Sequence, residues 1–135
     1  MKKWRVYILS ALILFSLAGC SVSKEHKEKL RDVEFTVVNP QDVPEELSGL
    51  IEEKKAEGFQ LTYADKGYLY LARGYGAQET SGYSVEVKEC YESEDAVVME
   101  SELLGPPKDE EILEKETYPY VVVKTEYMEK DVVME

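Results

Sequence analysis

Apolar residues recur along this chain with three different spacings. From Val6 to Leu17 they are almost continuous, between Val43 and Gly58 they return every three or four positions, and beyond Gly58 they alternate with polar residues. The middle spacing predicts a helix over VPEELSGLIEEKKAEGF, with Leu47, Leu50 and Ile51 on one stripe, acids in the first turn and lysines in the last. Pro44 suits an early helical position and Gly58 a C-terminal cap. Before the helix, Val33 to Val38 (VEFTVV) is rich in β-branched residues and reads as a first strand closed by Asn39-Pro40. After it, Phe59 to Ala64 and Tyr68 to Tyr75 flank Asp65-Lys66-Gly67, where Gly67 supplies the positive φ of a hairpin turn. Alternation over Tyr83 to Tyr91 places Tyr83, Val85, Val87 and Tyr91 on one face, with Ser84, Glu86 and Lys88 on the other. Ala96 to Leu103, Tyr118 to Glu126 and Asp131 to Met134 read as further strands. One helix followed by successive strands predicts an α+β, mainly β domain: antiparallel strands, in a sheet or a sandwich, with the helix packed on the sheet.

The continuous run has another meaning. Lys2, Lys3 and Arg5 precede it, and at about a dozen residues it falls short of the roughly 20 needed to span a bilayer as a helix. It ends in Leu17-Ala18-Gly19-Cys20. This arrangement resembles a bacterial lipobox, in which the cysteine thiol receives a diacylglyceryl group and becomes the new N-terminus after cleavage. The expected organisation is a signal peptide at 1–19, a lipidated flexible tether at 20–32 and a folded domain at 33–135. The domain would be displayed at the outer face of the bacterial cell membrane. Two acyl chains, each contributing about 0.8 kcal/mol per buried CH2, make such an anchor stable.

Charge sharpens this picture. The full chain of 135 residues has a formal net charge of −12, and losing the three early cations with residues 1–19 takes it to −15 over 116 residues. A surface of that sign disfavours nucleic acid and anionic lipid. With Cys20 lipidated, Cys90 has no intrachain partner, so the fold must rest on its core.

Catalytic constellations are scarce. His26, the one histidine, falls in the charged stretch SVSKEHKEKLR and reads as a solvated spacer, so no serine, histidine and acid triad can be assembled around the domain. The acid clusters Glu45-Glu46, Glu52-Glu53 and Asp109-Glu110-Glu111 read as solvated faces, with calcium binding the sharper alternative. No metal or cofactor is expected. Cys90 reads as a packed thiol on the face opposite Val85 and Val87, with a redox role as the alternative. Gly74-Tyr75-Gly76 and Thr80-Ser81-Gly82-Tyr83-Ser84 lack the Walker lysine and a following helix. They form either a plain connection whose glycines allow positive φ or a binding loop carried on a rigid sheet. Tyr118-Pro119-Tyr120 marks a sheet edge or a strand start, since proline cannot donate to a central ladder.

Two segments carry a family likeness. GAQETSGYSVEV, from Gly76 to Val87, resembles the first signature of the PrcB C-terminal domain, and TYPYVVVK, from Thr117 to Lys124, resembles the second. The resemblance extends over roughly Pro40 to Glu135. Thr80, Gly82, Tyr83 and Ser84 match the first motif, and Tyr118, Pro119 and Tyr120 the second. Ser81 stands where the family often has glycine, and the loop after Pro107 lacks a usual glycine. The resemblance implies a noncatalytic module, exported or lipid-anchored, that binds and stabilises a surface protease. Gly76, Ser81 and the matched residues are then the expected partner contacts, and Cys20 the lipidation site. Two alternatives stand beside it: a protease inhibitor acting in the manner of chagasin-like proteins, and, more weakly, an envelope enzyme using paired carboxylates.

Overall fold

A computed structural model describes residues 28–135; the signal segment, Cys20 and His26 lie outside them. Eight strands form two four-stranded sheets. The first has the order β1-β5-β6-β8, built from Lys29–Asp32, Ser84–Ser93, Ala96–Leu104 and Asp131–Met134. The second has the order β2-β7-β4-β3, built from Thr36–Val37, Tyr120–Glu126, Tyr68–Gly74 and Phe59–Asp65. The mainly β, antiparallel expectation holds, and its sheet-or-sandwich alternative resolves as a sandwich. One pair departs from it: β8 runs parallel to β6, from Ala96↔Asp131 to Met99↔Met134.

The main core lies between the sheets. Leu69 and Leu71 of β4 and Val121 and Val123 of β7 meet Cys90, Val97 and Met99 of the other sheet. Alternation sends the intervening Tyr70, Ala72 and Val122 to the opposite face, where they pack with Val43, Leu47 and Ile51. The helix α1 (Glu45–Lys54) therefore covers the second sheet as a third layer. Its buried stripe runs at i, i+4 and i+8 from Val43, and Leu50, expected on that stripe, is exposed.

The β3–β4 hairpin forms as expected, but its loop is only Lys66-Gly67. Both residues have positive φ, 51° and 84°, as a primed turn requires, and the ladder closes at Asp65↔Tyr68.

Three expectations need correction. Lys29–Asp32, assigned by charge to the tether, is a strand paired with β5, its cations Lys29 and Arg31 bound to Glu89 and Glu92. The first strand is split: only Thr36–Val37 pairs with β7, while Val33 is buried in the main core. The faces of β5 also change partway. Its register with β6 shifts between Val87 and Glu89, so Lys88 is an extra residue that moves everything after it to the other side. Cys90 consequently shares the core with Val85 and Val87, whereas Tyr91 packs outside with Ala96 and Val98. Burial pushes the Cys90 thiol up to about 11, which suits packing and not redox exchange.

The outer face of the first sheet carries a ladder of like charges. Glu86 lies opposite Glu102 and Glu89 opposite Glu100. Desolvation, reinforced by the Glu89 carboxylate, holds Glu100 above the ordinary carboxylate range. Lys130, aided by Arg31, holds Glu92 below it. For Glu100 the folded pKa exceeds the unfolded one, so its contribution favours folding in acid and is lost as pH rises through the raised value. For Glu92 the sign is reversed: the contribution is present above the unfolded pKa and lost as pH falls through the depressed one. Glu100→Gln is therefore expected to raise the Tm at pH 7 and Glu92→Gln to lower it, the first difference shrinking as pH falls through the raised Glu100 value and the second only as pH falls below the ordinary carboxylate value of about 4.3. Thermal melts of the two variants between pH 3 and 8 check this, and a shift of the same sign at neutral pH would contradict it.

Candidate functional site

The antiparallel register decides which loops meet. Gly74, the end of β4, lies opposite Tyr120, the start of β7, and Ser84, the start of β5, lies opposite Leu104, the end of β6. The β4–β5 connection (75–83) and the β6–β7 connection (105–119) thus leave from the same end of the sandwich. The link from α1 into β3 joins them, because Phe59 pairs with Gly74.

Close backbone approach holds the three segments together. Gly58 and Gly76 have φ of 86° and 81°, and a Cβ built on either would stand 3.4 Å or less from backbone of the other segment. Ala77 N–H donates to Ala56 O at 3.1 Å. The two long loops are then zipped along their lengths. Gln78 and Thr117 exchange backbone hydrogen bonds of 2.8 and 3.0 Å, and the Thr117 hydroxyl donates to Thr80 O at 2.7 Å. Ser81 N–H donates to Leu113 O at 3.0 Å, while Leu113 N–H donates to Ser81 Oγ at 2.8 Å. Gly82 has a φ of 92° and leaves only 2.8 Å between a built Cβ and Pro106 Cβ, so both its backbone angle and its neighbour demand glycine.

The expected contact residues are therefore brought together at one end of the sandwich. Gly76 is buried, Thr80 to Tyr83 and Tyr118 to Tyr120 are half-buried, and Ala77, Glu79 and Ser84 are exposed. Two of the hydroxyls singled out in the sequence are engaged internally: Thr80 Oγ1 donates to Ser81 O, and Ser81 Oγ accepts from Leu113. The Tyr118 phenol donates to Glu116 and is raised above its usual pKa by that carboxylate. Lys55 lies 4.8 Å from the centroid of the Tyr118 ring, tying the Tyr-Pro-Tyr motif to the end of α1.

At the base of the loops, Tyr75 OH is 2.6 Å from Ser101 Oγ and so ties the start of the β4–β5 connection to β6. The Arg73 guanidinium lies 4.6 Å from the Tyr75 ring centroid, and its Nε is buried without a hydrogen-bond partner. A shallow cavity of about 270 Å3 adjoins them, lined in part by Glu57, Gly58 and Gln60.

Sequence reasoning missed Pro106, Leu113 and Ser101, because their contacts join segments distant along the chain, 26 residues apart for Tyr75 and Ser101 and 32 for Ser81 and Leu113, with no local motif. A cavity of about 1000 Å3 at the opposite end, with Phe35, Tyr68, Lys124 and Met128 in its walls, was equally invisible. Among the described residues, no three or more histidine, cysteine, aspartate or glutamate side chains cluster as a metal set.

These features define a small helix-covered β-sandwich whose glycine-rich and Tyr-Pro-Tyr loops fuse into one surface at one end. Residues 69–126 match the PrcB C-terminal family. The matched span runs from the start of β4 to the end of β7 and so includes both loops, and is narrower than the expected Pro40 to Glu135. Comparison with curated proteins and with solved structures gave no match.

Proposed function

We propose that the chain is a lipid-anchored, noncatalytic interaction module, held at the outer face of the bacterial membrane through Cys20, that binds another exported protein through its fused loop surface. The match to a family named for a protease-associated subunit favours a protease as that partner. The observation that carries the reading is directional. β1 begins at Lys29, paired with Ser93, at the end of the sandwich opposite the loops, so a tether entering there turns the loop surface away from the membrane.

The test is recovery of the partner from envelope extracts with purified domain. Glu79→Arg adds a large cation at an exposed position with no hydrogen bond to lose, so it probes the surface without the strain that any side chain at Gly82 would bring. Recovery is expected to fall at least about tenfold, in line with loss of one well-packed contact. Equal recovery by Glu79→Arg and wild type would remove the loop from the account. A second reading, inhibition of a protease, is favoured by the rigid backbone zipper that presents the loop. Initial rates of cysteine and subtilisin-like proteases, titrated with the domain, separate the two, because a stabiliser leaves them unreduced.

A further inference from the structure

The 105–119 loop contains two large apolar side chains that the fold does not use. Leu113 is 65% exposed and Ile112 46%, and neither joins a hydrophobic cluster of the domain. Exposed aliphatic residues scattered on a surface need no explanation, but this pair differs in how its backbone is held. Both hydrogen-bonding groups of Leu113 are fixed by one residue: its N–H donates to Ser81 Oγ and its carbonyl accepts from Ser81 N–H. Lys115 N–H donates to the same carbonyl at 2.8 Å, making a tight turn immediately beyond it. Four residues further on, Thr117 is locked to Gln78 and Thr80. The loop therefore presents an apolar pair with its ordering entropy already spent, which is what makes a side chain effective in binding.

The surroundings specify a partner. Asp109, Glu110, Glu111, Glu114 and Glu116 flank the pair, against Lys108 and Lys115. Anionic lipid and a second copy of this acidic chain would both be repelled, whereas an apolar cleft rimmed by lysine or arginine would be attracted. We propose that Ile112 and Leu113 are the apolar anchor with which the domain docks into such a cleft on its protein partner. Ser81 is the positioning residue that aims the anchor. This rests on the interaction-module reading and gives that reading its contact residues and the chemistry of the partner. It also gives Ser81 a role that the glycine usual in the family lacks, since glycine has no hydroxyl to accept from Leu113.

The experiment is site-specific photocrosslinking of the full chain in its host envelope, with a benzoylphenylalanine probe at position 113 or, separately, at position 79. The expected result is an adduct from position 113 to an apolar stretch of another exported protein with lysine or arginine beside it. Affinity of that purified protein is then expected to fall at least about tenfold with Leu113→Ser. The folded domain's melting temperature should be unchanged, because the side chain is exposed. Ser81→Ala should weaken binding as well, and Ser81→Thr, which keeps the hydroxyl, should restore it. An adduct from position 79 but not 113 would overturn the anchor while leaving the interaction module intact. Self-adducts at 113, or a partner site that is acidic or polar, would also overturn it. No adduct from either position would sink both readings.

Discussion

Phe59→Ala is expected to lower the unfolding free energy by about 3 to 5 kcal/mol, the usual cost of emptying a buried aromatic site. For a domain whose total stability is about 5 to 15 kcal/mol, this is the most damaging single truncation the architecture offers next to the candidate surface. The reason is a cross-strand pair. Phe59 lies opposite Gly74 in the β3–β4 ladder, and a Cβ built on Gly74 would stand 2.3 Å from Phe59 Cε2. The ring occupies the space a side chain would need, covers the bare glycine backbone, and packs at 6.1 Å centroid distance against Tyr120. Gly74→Ala should consequently cost about 1 to 3 kcal/mol by overpacking, although its backbone angle needs no glycine. In the double variant the added methyl finds the ring gone, so the two costs should fall short of their sum by about 1 kcal/mol or more. Urea denaturation followed by circular dichroism measures all three. Simple additivity would show that the ring and the glycine are not packed as described.

Cys20→Ala is expected to move the chain almost completely from the membrane fraction to the soluble fraction of cells, and to abolish labelling by a fatty-acid analogue. Two acyl chains contribute about 0.8 kcal/mol per buried CH2, so no partial anchor should remain once the thiol is lost. The acidic chain offers no electrostatic substitute, since it repels anionic headgroups. Release requires that residues 1–19 still be removed, so the soluble variant should be cut at another point. Membrane retention of an unlabelled Cys20→Ala chain would mean that the apolar run or a protein partner holds it, and the lipid would drop out of the proposed function.

Much of the fold could be read locally. The helix announced itself through the helical spacing of Leu47, Leu50 and Ile51, although Val43 and not Leu50 completes the buried stripe, and the hairpin through Gly67, because a period and a turn residue depend only on near neighbours. The two motifs of the candidate site were legible as segments, yet nothing in either predicted their union. That union follows from the pairing of Gly74 with Tyr120, a register set across nearly fifty residues. Residue Lys88 shows how one position can defeat a pattern. As the extra residue of a bulge it reverses the faces of Cys90 and Tyr91, and no alternation of polar and apolar residues signals it, since both are at home in a core. The charged stretch before Val33 misled for a related reason. Composition predicted solvation, but an edge strand needs only backbone pairing and tolerates Lys29 and Arg31 facing Glu89 and Glu92.

The sequence by itself determined the class of fold, the one helix, the primed hairpin and the family likeness, all properties of spacing and short motifs. The tertiary structure alone decided that β8 runs parallel to β6, that the glycine-rich loop is zipped to the Tyr-Pro-Tyr segment, and that Ser81 holds Leu113 outward. Each of these rests on contacts between segments distant along the chain, whose formation depends on the packed sandwich and not on the residues' own preferences.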